Sequence, residues 1–439
     1  MVIVDDTDFA FAPLVLSRPD ADSRYVLCLV KHTYRIDPVG TLEPLPKGEQ
    51  FGPSPDTPYM DDLGRSLKYP SDIADYKPFT DVIVNATAYA PGGEAAQRVD
   101  VGVEVAGVRK RLAVFGDRRW VEGEDGVWFP SEPEPFTAMP VRWERSYGAV
   151  DDPRNPLGLG SGPDPGADLE EPTYSLPNVE NPDALIRNPT DRPDPVGLQA
   201  IPEFWSPRTE RYGTRDMFWA QFRAPLAPKD HNPRYYNCAP DDQQLTGLRG
   251  DEQLVFENLD AEQPWRILRL PGLRARAFHV PLSDTDRKLR EIPLALDTLV
   301  VDMNEGLATL VWRGTLVDVY AAPEKDAAFF HVYKDNIEAS TPLSAIQARF
   351  DEEIEKYEEV RAYENMSRED VMAQTFQPVM DQILSTLSEV GAGQELIDKF
   401  KAGSDPEEMF KMAETELENQ DQILRDLLAD IERKYDRGS

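Results

Sequence analysis

The segments Leu294-Ala-Leu-Asp-Thr-Leu-Val-Val301 and Leu307-Ala-Thr-Leu-Val-Trp-Arg313 carry the clearest strand signals in the chain. Both are short runs of mostly apolar residues, many of them β-branched, as strands in a core usually are. Asp302-Met-Asn-Glu-Gly306 separates them and ends in glycine, which tolerates the positive φ that a tight turn requires. The stretch therefore predicts an antiparallel β-hairpin, and we expect the chain around it to be a β body.

Further segments show the same signals. Residues 25–36 and 82–89 are rich in Val, Leu, Ile and Tyr. Residues 99–105 alternate valine with polar residues or glycine, and residues 109–115 follow an Ala-Gly turn, so these two segments predict a second hairpin. The predicted fold class is mainly β, an antiparallel sandwich or barrel-like body with long proline-rich loops, followed by a C-terminal α-helical appendage.

Residues 139–244 form a long irregular segment within this β body. Between Asp151 and Pro240 lie 16 of the chain's 39 prolines. Each proline fixes φ and removes a backbone donor, so no long helix or central strand can run through the segment. The segment is nevertheless rich in Trp and Tyr, which drive burial. We therefore predict long loops held on a β scaffold rather than a disordered linker.

The composition changes after Pro342. Only 2 of the 39 prolines follow it, and residues 343–439 carry 24 acidic against 11 basic side chains. Apolar residues recur every three or four positions, as in amphipathic helices. They are Ile346, Phe350, Ile354 and Tyr357, then Ile383, Leu384, Leu387 and Val390, and then Met409, Met412, Leu417, Leu424, Leu427, Leu428, Ile431 and Tyr435. We predict an all-β body over residues 1–342 and an acidic domain of three or four helices over residues 343–439.

The formal charge of -33 limits the classes of partner. Phosphate binding needs clustered Lys and Arg, so no nucleic-acid partner is predicted. A cationic protein partner is compatible with the charge, and solubility alone also explains it. No run approaches the roughly 20 apolar residues that cross a bilayer, so no membrane association is predicted. With two cysteines and no pattern of a signal peptide, we expect reduced thiols and a cytoplasmic location.

Signatures of known catalytic sites are mostly missing: the sequence has no Gly-x-Ser-x-Gly elbow, no His-Glu-x-x-His and no Walker loop. Cys238 is a candidate nucleophile only if a neighbouring base lowers its pKa, and a buried inert thiol is the simpler interpretation. Asp241 and Asp242 are the best candidate carboxylate pair, with Glu180 as a further carboxylate. Adjacent strand residues point apart, however, and an N-cap or an arginine partner is favoured for one of them. No cofactor and no metal site are predicted.

Arginines and aromatic residues stand close together around the irregular segment. Two interpretations stay open: the arginines lock irregular backbone through buried pairs and stacking, or they belong to a peptide-binding surface. The second follows because Trp, Tyr and Arg dominate binding hot spots. The residues assigned to this candidate binding surface are Arg118, Trp120, Trp143, Arg145, Trp205, Arg208, Arg215, Trp219, Asp241 and Gln243.

A series of short motifs occurs in order along the chain. They include Val30-Lys-His-Thr-Tyr34, Tyr69-Pro-Ser-Asp72, Lys77-Pro-Phe-Thr-Asp-Val-Ile-Val84, Phe115-Gly-Asp-Arg-Arg-Trp120, Trp143-Glu-Arg-Ser-Tyr-Gly148, Asn155-Pro-Leu-Gly-Leu-Gly160, Leu176-Pro-Asn-Val-Glu180, Trp205-Ser-Pro-Arg208, Ala239-Pro-Asp-Asp-Gln243 and Leu296-Asp-Thr-Leu299. Together they resemble the family called domain of unknown function 2169, whose members are found with bacterial type VI secretion proteins. The resemblance extends over residues 11–313.

This resemblance implies a non-enzymatic adaptor or chaperone. Such a protein would bind and stabilise a secreted type VI effector, or its PAAR-type tip domain, and assist its loading onto the VgrG spike. The family supplies no assigned catalytic residues, so none are transferred to this chain. A hydrolase or carbohydrate-active enzyme with a carboxylate site in the central loops is the alternative. The acidic tail lies outside the resemblance, and its helices either capture a client segment or pack into an ordinary bundle.

Overall fold

The computed structural model of the chain describes residues 2–5, 7–17, 24–62, 64–160, 174–281, 286–317, 329–364 and 398. The chain divides into two compact units, Met1–Phe350 and Asp351–Ser439. The first unit contains the β body and the irregular segment. The predicted domain boundary at Pro342 stays a prediction.

The described strands and helices are mostly short. In chain order, the strands are β1 (Val2–Val4), β2 (Ala10–Ser17), β3 (Arg24–Ile36), β4 (Leu42–Pro44), β5 (Thr57–Pro58), β6 (Leu67–Tyr69), β7 (Thr80–Tyr89), β8 (Arg98–Val105), β9 (Val108–Phe115), β10 (Trp120–Glu122), β11 (Trp128–Pro130), β12 (Ala138–Val141), β13 (Val179–Glu180), β14 (Gln244–Leu245), β15 (Gln253–Glu257), β16 (Trp265–Arg269), β17 (Leu273–Val280), β18 (Arg290–Ile292), β19 (Ala295–Asp302), β20 (Leu307–Val317) and β21 (Phe329–Asn336). The α-helices are α1 (Arg208–Arg211), α2 (Met217–Phe222) and α3 (Leu343–Glu364). Six 3₁₀ helices cover Lys47–Glu49, Tyr59–Asp61, Pro91–Gly93, Trp143–Arg145, Pro233–Tyr236 and Asp241–Gln243.

Three larger sheets organise these strands. An eight-stranded sheet has the order β12-β7-β19-β20-β3-β2, with β14 also on β7 and β4 on β3. A five-stranded sheet has the order β13-β9-β8-β15-β16, and a four-stranded sheet has the order β1-β21-β17-β18. β7 and β19 run parallel, as do β1 and β21, so two of the sheets are mixed. The predicted mainly β class is confirmed, and the described strands form open sheets without a closed barrel.

The hairpin predicted from residues 294–313 lies near the middle of the eight-stranded sheet. β19 pairs with β20 from Ala295 to Asp302, and Gly306 in its turn has φ of 65°. β7 lies on the other side of β19, and β3 lies on the other side of β20. The hairpin therefore holds the two ends of this sheet together, and its prediction is confirmed.

The main core lies between the eight-stranded and five-stranded sheets. Alternate residues of both sheets are buried in it, among them Val82, Val84, Leu299 and Leu310 from the first sheet and Val101, Val103, Leu254 and Phe256 from the second. Burying one such side chain stabilises the fold by roughly 1.5 to 3 kcal/mol. The alternation of valine with polar residues in β8 is explained by this one-sided burial. The body is thus a sandwich in its central part.

The irregular segment covers the opposite face of the eight-stranded sheet. Ile83 and Val300 on this face pack with Ala200, Cys238 and Ala239 from the segment. As a result, residues 80–86 of β7 are buried on both faces. Burial on both faces explains why Val82, Ile83 and Val84 follow one another without the alternation of apolar and polar residues seen in half-buried strands.

The irregular segment also completes one edge of β7. β12 pairs with one end of β7 and β14 pairs with the other. Between them, the Val84 amide donates to the Leu198 carbonyl at 2.9 Å. The side-chain amide of Gln243 donates to the carbonyls of Val82 at 2.8 Å and Leu198 at 3.0 Å. Gln243 therefore supplies hydrogen bonds that a continuous neighbouring strand would otherwise make.

The helical prediction for the tail is confirmed where the structure describes it. α3 begins at Leu343, directly after Pro342, and continues to Glu364. Ile346, Phe350 and Ile354, from the first predicted apolar set, are buried. The second and third predicted sets, around residues 383–390 and 409–435, lie outside the described residues. Among the described helices, none has the length and hydropathy needed to cross a bilayer.

Candidate functional site

The irregular segment meets β7 at a buried ion pair. The ammonium of Lys77 lies 2.9 Å from a carboxylate oxygen of Asp81 and donates to the Thr298 hydroxyl at 2.8 Å. Asp81 also accepts from the backbone amide of Cys238 at 3.0 Å and from the side-chain amide of Asn237 at 3.0 Å. The ion pair therefore fixes residues 237–239 against the sheet.

The electrostatics of this pair keep both members charged. Burial works against each charge, but their mutual attraction and the hydrogen bonds to Asp81 outweigh it. The pKa of Lys77 consequently lies above its usual value and the pKa of Asp81 lies below. Burial, with the nearby Asp81 carboxylate, raises the pKa of Cys238 to about 12. A nucleophilic cysteine needs a lowered pKa, so this thiol behaves as the buried inert group that the sequence favoured.

The polar contacts continue across the sheet from Thr298. Its hydroxyl donates to Asp297 at 2.9 Å, and Asp297 pairs with the Arg313 guanidinium at 2.5 Å. Arg313 also donates to the backbone carbonyls of Asp72 and Ala74. We call the group of Lys77, Asp81, Cys238, Asp297, Thr298 and Arg313 the Lys77 network.

Several of the ordered sequence motifs converge on this network. The Asp72 side chain beside it accepts from Lys31 at 2.7 Å and from the Ser54 amide at 2.9 Å. Lys31, Asp72, Lys77, Asp81, Cys238 and Asp297 come from five separate stretches of the sequence. These motifs therefore share a common structural role, which is to hold the irregular segment and the loops before β7 on the sheet.

Another buried ion pair joins Arg118 to Glu180. Arg118 also donates to the Pro177 carbonyl at 2.7 Å, and its guanidinium lies 3.9 Å from the centre of the Phe115 ring. The other Glu180 oxygen accepts from the Ile186 amide at 2.8 Å. Glu180 thus shapes the backbone around it, and Arg118 takes the scaffold role among the two that the sequence left open.

The predicted tryptophans 120, 143 and 205 are buried in the scaffold as well. Trp143 donates to the Ala200 carbonyl at 3.1 Å and packs edge-to-face on Trp205 with ring centres 6.0 Å apart. Trp120 packs in a separate cluster with Tyr147 and Leu176. These contacts fix the irregular segment through apolar area and one directed hydrogen bond.

Arg208 and Arg145 also contact neighbouring loops. Arg208 is buried and donates to the carbonyls of Ile201 at 2.7 Å and Tyr235 at 2.9 Å. Arg145 is partly exposed and donates to Asn178 at 2.9 Å. Both side chains join separate stretches of irregular backbone to each other.

The two adjacent carboxylates Asp241 and Asp242 have different partners. Asp241 pairs with Arg211 at 2.6 Å and with Arg234 at 3.3 Å. Asp242 pairs with Lys110 at 2.7 Å. The expectation of an arginine partner for one of them is confirmed. Within the ranges that the structure describes, no group of three or more His, Cys, Asp or Glu side chains is arranged to hold a metal ion.

Residues 213–230 leave the scaffold as a loop whose two ends lie together, and we call them the aromatic loop. The backbone amide and hydroxyl of Thr214 both donate to Asp230, the hydroxyl at 2.7 Å. Gly213 has φ of 105°, which favours glycine, and a side chain there would come within 3 Å of Asp230 and Pro228. The loop is thus closed at its base by short-range bonds.

Internal hydrogen bonds also order the tip of the aromatic loop. The Asp216 side chain caps α2 by accepting from the Trp219 amide at 2.8 Å. The Trp219 indole donates to the Leu226 carbonyl at 2.8 Å, which joins the helix to the second half of the loop. Trp219 therefore faces the loop interior, while the opposite side of α2 remains open.

That open side of α2 presents large apolar groups to solvent. Met217 is 83% exposed, Phe218 is 61% exposed and Phe222 is 66% exposed. The Phe218 and Phe222 rings lie 5.0 Å apart and form one surface. The sequence prediction named Arg215 and Trp219 here but missed Met217, Phe218 and Phe222. The run Asp216-Met-Phe-Trp-Ala-Gln-Phe222 carried a usable signal, since a helix cap precedes an apolar stretch too short to form a core helix.

The fold and site define a mainly β protein in which a proline-rich segment, fixed by buried ion pairs, carries an exposed aromatic loop. A family model described as "Uncharacterized protein conserved in bacteria (DUF2169)" matches residues 21–313, and the chain belongs to this family. No significant match was found among curated proteins or among solved structures. The family resemblance predicted from the ordered motifs is therefore confirmed.

Proposed function

We propose that the protein is a non-enzymatic adaptor that acts in the bacterial cytoplasm on a type VI secretion effector. It binds and stabilises the effector, or its PAAR-type tip domain, and assists loading onto the VgrG spike. The observation that carries this proposal is the exposed apolar surface of Met217, Phe218 and Phe222 on an internally bonded loop. The motif resemblance to type VI adaptor proteins supplies the class of client.

The aromatic loop has the physical properties of a binding element. Exposed patches of large apolar groups rimmed by polar residues often mark interaction sites. Because Asp216, Trp219 and Asp230 already bond within the loop, little conformational entropy remains to be lost on binding. The loop can therefore bind a partner at a low cost in conformational entropy.

The candidate catalytic groups favour the adaptor over the hydrolase alternative. Glu180 pairs with Arg118, Asp241 with Arg211 and Arg234, and Asp242 with Lys110. A glycosidase needs two carboxyl groups that face a common substrate about 5 to 10 Å apart. Here each carboxylate is committed to a cation on a different part of the scaffold, and the Cys238 thiol is buried beside Asp81.

Deletion of the gene in its native host tests the adaptor role. We expect the client effector to lose stability and export, and both to return when the wild-type chain is supplied. Met217→Ser/Phe218→Ser/Phe222→Ser should fail to restore export. Asp242→Asn should restore it, because it removes the charge of a candidate catalytic group outside the candidate binding surface and keeps an oxygen acceptor for Lys110. Normal export from the deletion strain would refute the proposal, and failure of Asp242→Asn with an unchanged free energy of unfolding would favour the hydrolase.

A matched variant separates the aromatic loop from general surface effects. Val39, Phe129 and Val150 are also exposed apolar residues, at 81%, 47% and 94%. Val39→Ser/Phe129→Ser/Val150→Ser removes a similar number of exposed apolar groups outside the loop. This control should co-purify with the client as the wild type does.

A further inference from the structure

The charge around the aromatic loop differs from that of the whole chain. The formal charge of the protein is -33, yet six Arg or Lys residues stand against three Asp or Glu residues between Arg208 and Arg234. Arg208 is buried, and Arg211 and Arg234 pair with Asp241. The aromatic loop itself, residues 213–230, keeps three cations against two carboxylates, a formal charge of +1. Because opposite charges favour association and like charges oppose it, this local excess selects among partners.

All three carboxylates of this stretch accept hydrogen bonds from neighbouring residues of the chain. Asp230 accepts from Thr214, Asp216 caps α2, and Glu210 accepts from the Ser206 hydroxyl at 2.5 Å. Hydrogen bonds to these carboxylates hold them in the loop and its base.

Two exposed cations near the two ends of the aromatic loop are available to pair with a partner, and we call them the rim cations. Arg215 and Lys229 are both exposed, and neither makes an ion pair with any carboxylate among the residues that the structure describes. The Arg215 guanidinium lies 4.9 Å from the centre of the Tyr212 ring, which positions the charge without neutralising it. By contrast, Arg211 and Arg234 are occupied by Asp241.

Aromatic rings packed edge-to-face support the base of the loop. His231 lies 5.5 Å from Tyr212 and 5.8 Å from Tyr235 between ring centres, and its Nδ1 is 3.0 Å from the Tyr212 carbonyl. Tyr235 in turn contacts Tyr236 at 5.3 Å. This support fixes the relative positions of the apolar side chains and the two rim cations.

We propose that the aromatic loop binds an acidic amphipathic helix of the client, an inference that rests on the proposed adaptor function. Phe218 and Phe222 stand four residues apart on α2 and form a ridge, which packs into the groove of a second helix. Apolar side chains of the client helix cover this ridge and Met217. Its carboxylates pair with Arg215 and Lys229.

Site-specific photocrosslinking in the native host identifies what contacts the ridge. A photoreactive benzoylphenylalanine replaces Phe218 in the full chain, and the same residue at position 150 serves as the control, since Val150 is 94% exposed. Crosslinked peptides are identified by mass spectrometry. We expect client peptides with a net negative charge and apolar residues at positions i, i+3 and i+4.

The other outcomes each overturn a different statement. A basic client peptide, a proline-rich one or a crosslink to lipid would refute the acidic helix but leave the adaptor role intact. A crosslink yield at position 218 no higher than at position 150 would refute the aromatic loop as the client site. If, in addition, the deletion strain exported its effector normally, the proposed function would fall as well.

Charge variants test the two rim cations directly. The probe is the crosslinked client peptide, synthesised with a fluorescent label and titrated with the full chain. Arg215→Glu/Lys229→Glu should weaken its binding by about tenfold or more, because two attractive contacts become repulsive. Arg215→Lys/Lys229→Arg should bind like the wild type. Equal affinity of the charge-reversed and wild-type chains would refute the electrostatic part of the inference.

Discussion

In the Lys77 network, charged groups lie beneath the irregular segment, whereas the aromatic loop turns three large apolar side chains toward solvent. Both regions belong to the same proline-rich part of the sequence or its direct contacts. In the network, Lys77 and Asp81 satisfy each other and the backbone. In the loop, the polar groups bond locally and leave Phe218 and Phe222 uncovered. Side chains of the network thus hold the irregular segment on the sheet, and side chains of the loop face solvent.

This difference explains why arginine and tryptophan have two roles in one segment. Arg118, Arg208 and Trp205 are buried and contact backbone or rings. Arg215 is exposed at the loop rim, and Trp219 orders the loop from within. Residue type alone therefore does not distinguish scaffold side chains from solvent-facing ones, while burial and hydrogen-bond partners do.

The largest effect on stability is expected from Lys77→Ala. This change leaves the Asp81 carboxylate buried without its counter-ion, which costs about 3 to 5 kcal/mol of the free energy of unfolding. Arg109→Ala breaks an exposed pair with Glu104 and should cost less than about 1 kcal/mol. Urea denaturation of both variants measures the difference. Equal losses would contradict the structural role of the network.

A pH effect of similar size is expected from His32. Burial lowers the pKa of His32 to about 4, while the unfolded chain titrates near its ordinary value of 6.5. Between these values the unfolded state binds more protons, so the stability present above pH 6.5 is lost as the pH falls toward 4. His32 alone accounts for about 3 kcal/mol of this loss.

His32→Gln checks this assignment. The variant keeps a polar group beside the Tyr34 hydroxyl, which His32 contacts in the wild type, but it cannot titrate. The slope of unfolding free energy against pH between 4 and 6.5 should become shallower. Burial also lowers the pKa values of His279 and His331, so part of the slope should remain. An unchanged slope would show that His32 is not a source of the pH dependence.

A smaller loss of stability is expected from Asp230→Ala. It removes the acceptor that joins the two ends of the aromatic loop, which should cost about 1 to 2 kcal/mol. Client affinity should fall because the loop must then be ordered on binding. Asp191→Ala is the matched control, since Asp191 accepts the amides of Arg187 and Asn188 in another exposed turn. Isothermal titration should show weaker client binding for Asp230→Ala alone.

The sequence predicted the local parts of the fold well. The hairpins around Gly107 and Gly306 follow from alternation and turn residues, and both are confirmed. The parallel pairing of β7 with β19 joins residues more than 200 positions apart, and no local pattern encodes it. The sandwich was predicted as a class, and the irregular segment was predicted as loops held on the β scaffold. The sheet face that this segment covers was not predicted.

The candidate site was predicted only in part, for a related reason. Arginines and tryptophans were correctly linked to the irregular segment, but sequence cannot distinguish a buried Arg208 from an exposed Arg215. Asp81 and Cys238 meet through tertiary structure, so their contact was not predicted. Met217, Phe218 and Phe222 were missed because exposed apolar residues look like core residues in a sequence.

The central claim is that the aromatic loop serves binding and the Lys77 network serves stability. The most direct test measures unfolding free energy and client affinity together for Met217→Ser/Phe218→Ser/Phe222→Ser. Since these side chains are exposed, we predict a change in unfolding free energy within about 0.5 kcal/mol and a loss of client binding. A variant that keeps wild-type affinity, or that loses more than about 2 kcal/mol of stability, would contradict the claim.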